Sequence, residues 1–126
     1  MPLKKQHQKE GEMSMHYQAI NLNEELSQIN ELWSPKVVGE INDFLFKLIK
    51  IDGDFIWHEH EGADKVFIVI EGEMFIAFRD GQVKISKGEM FIVPGEADHK
   101  PFAEKECHVM LVEPKGEVNT SGTESE

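Results

Sequence analysis

The sequence predicts an all-β sandwich or barrel with one short N-terminal helix. Three observations carry that expectation. After Pro35 the chain breaks into seven short runs rich in Val, Ile and Phe, recurring about every ten residues with Gly and Asp between them. Ahead of them lies one segment whose apolar residues keep helical rather than alternating spacing. The chain has 126 residues, 40% of them hydrophobic and 29% charged, which is material for one core and one domain.

Residues 1–15 are polar and without period and read as a flexible lead. Leu22, Leu26, Ile29, Leu32 and Trp33 recur at spacings of three and four, with Asn21 or Asn23 as N-cap and Glu24 and Glu25 in the first turn. This predicts an amphipathic helix over residues 22–33, ended by Ser34-Pro35 because proline cannot continue the ladder. The strand runs are FLFKLIKI, FIWHEH, KVFIVI, MFIAF, VKI, MFIVP and HVMLVEP. Asp52-Gly53, Glu71-Gly72, Asp80-Gly81 and Lys87-Gly88 supply turns, Asp80-Gly81 being the strongest hairpin signal. A single domain over residues 16–114 and a flexible tail over 115–126 complete the organisation.

Charge narrows the partners. With 24 Asp plus Glu against 13 Lys plus Arg, the net charge of −11 repels nucleic-acid phosphates and anionic membranes. No apolar run approaches the ~20 residues of a membrane span. The N-terminus lacks the apolar stretch of a secretory signal, and the single Cys107 can form no internal disulfide, so a cytoplasmic protein is expected.

Strand alternation puts His58 and His60 on one face, where two neutral imidazoles can reach one ion. The blocks GDFIWHEHEGADKVFIVIEG and GEMFIVPGEADH resemble the paired motifs of the cupin superfamily, G-x5-H-x-H-x3,4-E-x6-G and G-x5-P-x-G-x2-H-x3-N. Gly53, His58, His60 and Gly72 match the first, with Gly53 to His58 one residue short, and Gly88, Pro94 and His99 match the second. The resemblance, to small single-domain cupins of the sugar-phosphate isomerase-like type, implies a double-stranded β-helix (jelly-roll) barrel. It also implies a divalent metal (Zn, Fe, Mn or Ni) held at the barrel mouth on His58, His60 and His99.

Three positions depart from the motifs: Lys65 stands where the family has its ligand Glu, Glu96 replaces a Gly, and Ala103 replaces the Asn. If Lys65, Phe67 and Val69 face inward, Asp64 points outward unless the turn at Glu61-Gly62-Ala63 lets it curl in as a fourth ligand. An ammonium about 5 Å from a divalent ion repels it by roughly 7 kcal/mol at an effective dielectric near 20. Lys65 and Glu96 are therefore candidates for binding a ligand rather than the metal. Two readings stand side by side: a metal-dependent isomerase or dioxygenase acting on a small polar molecule, and a metal-free binding module in which Lys65 and the histidines hold an anionic ligand. Whether a reaction is catalysed stays open. His108 reads as a partly exposed strand residue and Cys107 as a small buried hydrophobe. Val66, Ile68 and Ile70 make the second face of KVFIVI apolar, and Trp57 shares an outward face with Phe55, so a covering sheet or subunit and a homodimer are expected.

Overall fold

Asn21 opens helix α1 (Leu22–Ser27), its side-chain oxygen accepting the Glu24 N–H at 3.0 Å, and Glu24 and Glu25 occupy the first turn. The structure is a computed structural model and describes residues 17–57 and 62–116. The lead over 1–15, the His58-Glu59-His60 triplet with Glu61, and the tail beyond residue 116 lie outside the described residues.

The helix is half as long as expected, and Trp33 shows why. After Ser27 the backbone tightens into three-residue turns, Gln28 N–H to Glu25 O at 3.1 Å and Ile29 N–H to Leu26 O at 3.0 Å. Lys50 Nζ then donates to the Ile29 carbonyl at 3.0 Å. Trp33 takes a left-handed φ of 62°, its N–H donates to Lys50 O at 2.8 Å and its indole Nε1 to Asp52 O at 3.1 Å. Its ring stacks on Phe55 with centroids 4.6 Å apart. Two hydrogen bonds and an aromatic stack outweigh one more helical turn, so the helix stops well before Pro35.

Seven strands come after it: β1 (Lys36–Ile41), β2 (Phe44–Asp54), β3 (Lys65–Glu71), β4 (Glu73–Phe78), β5 (Gly81–Ser86), β6 (Met90–Val93) and β7 (His99–Pro114). They pair antiparallel in the order β1-β2-β7-β3-β6, with β4 joining β7 to β5. The start of β7 pairs with β4 (His99 with Phe78, Phe102 with Phe75), and its later half pairs with β3 (Val109 with Val69, Val112 with Val66). β2 runs beside β7 from Phe44–Pro114 to Asp54–Phe102. One long strand thus passes from one wall to the other and closes a jelly-roll barrel.

Sequence and structure differ at four strands, one of them β7, which begins at His99 rather than at His108 where HVMLVEP starts. β1 is absent from the strand pattern of the sequence, because KVVGEI carries a Gly and no alternation. Asp52-Gly53 is a bulge inside β2 rather than a turn: the β2–β7 register shifts between Ile51 and Gly53, and Gly53 has φ +81°. Residues 55–57 of FIWHEH form no strand. The Asp80-Gly81 hairpin is present, with Phe78 paired to Gly81.

The barrel interior is packed by Ile49, Ile51, Phe67, Val69, Met74, Ile76, Ile85 and Val109, all under a tenth exposed. A second cluster lies outside the wall, where Leu26 and Ile29 from the helix segment cover Leu48 and Met110, with Ile68 and Ile70 packed against them. The helix segment is therefore the cover that part of the apolar outer face of β3 requires, at about 1.5–3 kcal/mol for each large side chain buried. No described helix is long and apolar enough to cross a membrane.

Candidate functional site at the barrel mouth

Three strand ends meet at one end of the barrel. β6 stops at Val93, which pairs with Lys65 at the start of β3, and residues 94–98 lead directly into His99 at the start of β7. The two loops that join here touch backbone to backbone. A Cβ on Gly95 would sit 1.9 Å from Gly62 O and 2.8 Å from the carbonyl carbons of Gly62 and Ala63, so only glycine fits. The Gly95 N–H donates to Asp64 Oδ1 at 2.9 Å. Position 96, where the family motif has its glycine, carries the exposed Glu96, and the tight approach falls one residue earlier.

His99 is 1% exposed and shares its strand face with the buried Pro101 and Ala103. Its Nδ1 lies 3.0 Å from Ala97 O. A carbonyl oxygen can only accept, so the Nδ1 carries the proton and in the neutral ring the lone pair is on Nε2.

Lys65 faces inward as expected, 7% exposed, in line with Phe67 and Val69. Its Nζ lies 3.3 Å from Glu113 Oε1, while Lys47 Nζ lies 2.6 Å from Glu113 Oε2. Glu113 is 1% exposed and ends the inward row Val109, Leu111, Glu113 of β7. At 3.3 Å the Lys65 ammonium makes an ion pair but is not aligned on a lone pair, and Oε1 accepts no hydrogen bond from the described residues. Neither Lys47 nor Glu113 stands out in the sequence, although alternation along HVMLVEP already sets residue 113 on the face of the core residues 109 and 111.

Asp64 stays exposed and spends Oδ1 on the Gly95 N–H, and Glu96 is exposed. His58 and His60 fall outside the described residues. Among the described residues no three His, Cys, Asp or Glu side chains gather as a metal site. His108 is a partly exposed strand residue with Nε2 2.8 Å from Glu106 Oε2, a bond that holds the Glu106 carboxyl below its usual range. Cys107 is fully buried, and burial, then the charges of Glu73 and Glu71, push its thiol up to about 12. Phe55 and Trp57 do not share one patch. With no strand over 55–57 to impose alternation, Phe55 stacks on Trp33 while Trp57 lies under the Arg79 guanidinium, 3.9 Å from its ring centre.

A family model described as Cupin domain matches residues 45–113. The crystal structure of a cupin-2 domain containing protein from Shewanella frigidimarina is 49% identical, covering 76% of this chain and 94% of that chain at a TM-score of 0.75. The structure of protein NMB1881 from Neisseria meningitidis is 38% identical, covering 78% of this chain and all of that chain (100%) at a TM-score of 0.70. The uncharacterised protein YdbB of Bacillus subtilis is 30% identical over 75 residues, 59% of this chain and 66% of the relative's length.

Proposed function

The chain belongs to the cupin family, whose barrels bind small molecules, and from that premise we propose that its mouth holds a divalent metal on His58, His60 and His99 and receives a small polar molecule there. The observation that carries the reading is His99. Its Nδ1–H is committed to the Ala97 carbonyl at 3.0 Å, which is the arrangement an imidazole uses to present Nε2 to a metal. The ring is buried on the inner face, where a ligand must be. Lys65 fits the same reading, because its charge is drawn toward Glu113 rather than left to repel an ion. Asp64 as a fourth ligand has Oδ2 to give while Oδ1 keeps the Gly95 loop in place. A bound metal supplies a Lewis acid or an oxygen-binding centre, the chemistry of an isomerase or a dioxygenase.

The second reading, a metal-free module binding an anion through Lys65, is favoured by one observation: the buried Lys65 and the half-buried Lys47 share a single carboxylate. Metal analysis of the untagged protein, then titration with Zn, Fe(II), Mn and Ni, separates the two. The expected result is about one metal per chain, abolished in His60→Ala and lost in His99→Ala. A wild type that arrives metal-free and takes up none of the four ions sinks the metal reading.

A further inference from the structure

The group formed by Lys47, Lys65 and Glu113 carries more positive than negative charge, and the structure assigns it a ligand: a small oxyanion, carboxylate or phosphate, that also bears a hydroxyl group. The inference rests on the barrel as a small-molecule site and is independent of whether the metal binds. A buried ion pair placed for stability balances its charges, because an uncompensated charge away from water is costly. Here two ammonium groups meet one carboxylate, at 2.6 and 3.3 Å, inside a wall otherwise made of Ile49, Phe67 and Val93. Among the described residues Glu113 is the one carboxylate paired with these lysines, and a second anion facing them completes the arrangement. The cations are the less buried members of the group, the side chains of Lys47 and Lys65 keeping 14% and 8% of their surface against 1% for Glu113. A solute reaching the group therefore meets the cations first. In a protein of net charge −11 this local field, not the global one, decides what binds.

Glu113 adds a second requirement. Its Oε1 is buried without a hydrogen bond from the described residues. A carboxylate oxygen is acceptor-only, so it is satisfied by a donor and not by another anion. A hydroxyl beside the ligand's anionic group meets that need, with the anion on the lysines and the O–H on Oε1.

Calorimetric titration tests the proposal with inorganic phosphate, glycolate and acetate at constant ionic strength, on protein stripped with chelator and on protein loaded with zinc. In both forms the wild type is expected to bind phosphate and glycolate, with glycolate at least fivefold tighter than acetate. Lys65→Met and Lys47→Met each weaken phosphate binding at least tenfold while circular dichroism shows the fold retained, and Glu113→Gln, which removes the competing anion, tightens it at least fivefold. If one lysine variant fails to fold, the other and Glu113→Gln decide. The proposal is overturned if the wild type binds none of the probes up to about 50 mM, or if both lysine variants bind within twofold of wild type. Phosphate that binds only zinc-loaded protein and ignores the lysines also overturns it, while supporting the metal reading. Lysine-dependent binding in a protein that takes up no metal supports the site and refutes the metal reading.

Discussion

Lys65→Glu restores the carboxylate of the family motif, and the structure puts a cost on it. In the wild type the Lys65 ammonium is 3.3 Å from Glu113 Oε1 with both side chains more than nine-tenths buried. Removing one partner of such a pair costs about 3–5 kcal/mol. The introduced carboxylate sits on a shorter stem, about 5 Å from Glu113, where two like charges repel by about 3 kcal/mol at an effective dielectric near 20. It can escape by keeping its proton, but holding a carboxyl neutral at pH 7.5 costs about 4 kcal/mol. Lys47 stays beside Glu113 and limits the damage. Chelator-treated Lys65→Glu is therefore expected to be less stable than wild type by about 4 kcal/mol in urea unfolding. Because the folded variant holds its extra proton above the ordinary carboxylate range, its deficit grows as pH rises from 5 to 8. A divalent ion offsets the new charge, so metal binding tightens at least tenfold and the urea midpoint recovers in zinc. A variant as stable as wild type in chelator, with unchanged metal affinity, would refute the inward placement of Lys65 beside Glu113.

Three further outcomes are expected. Gly95→Ala brings a methyl group to 1.9 Å from the Gly62 carbonyl oxygen, so the two mouth loops must part and the Asp64 bond is strained; a loss of about 3 kcal/mol in urea unfolding is expected, and a loss under about 0.5 kcal/mol would contradict the packing. Burial pushes the Cys107 thiol up from an ordinary 9.0 to about 12, so the folded state keeps a proton that the unfolded chain loses. Stability should fall by about 1.4 kcal/mol per pH unit between pH 9.0 and about 12 from this group alone, and Cys107→Ala should remove that part of the slope. A homodimer is expected to cover the outer face near Met90 (60% exposed) and Ile92 (51% exposed), so light scattering should report a dimeric mass that Ile92→Lys reduces to a monomer; a monomeric wild type would discard the expectation.

What was legible in the sequence was what repeats. Alternation in KVFIVI put Lys65, Phe67 and Val69 on the inner face, and they are there, because a one-residue slip would have turned the whole strand inside out. The Asn21 cap was legible because capping is local. Helix length was not, since Trp33 is claimed by Lys50, Asp52 and Phe55, partners about twenty residues away in sequence. The glycine at 95 was missed because its reason, the Gly62 carbonyl, belongs to another loop. Glu113 was missed for a related cause: inward alternation was visible, but the two lysines that make an inward carboxylate tolerable lie on β2 and β3.

The passage of β7 through both walls also shapes how the chain is made. β2, β3 and β4 each take β7 as a hydrogen-bonding neighbour, so a ribosome must deliver residue 114 before the barrel can close. β2 begins at Phe44, and the 71 residues from there to Pro114 take roughly 4–14 s to synthesise at about 5–20 residues per second. KVFIVI, apolar on both faces, is complete at Ile70 and waits for the remaining 44 residues, roughly 2–9 s, without its partner on one edge. The nascent chain is therefore a substrate for chaperones for far longer than a hairpin-by-hairpin fold of the same size, and its yield in a cell depends on how well that one segment is shielded until the last strand arrives.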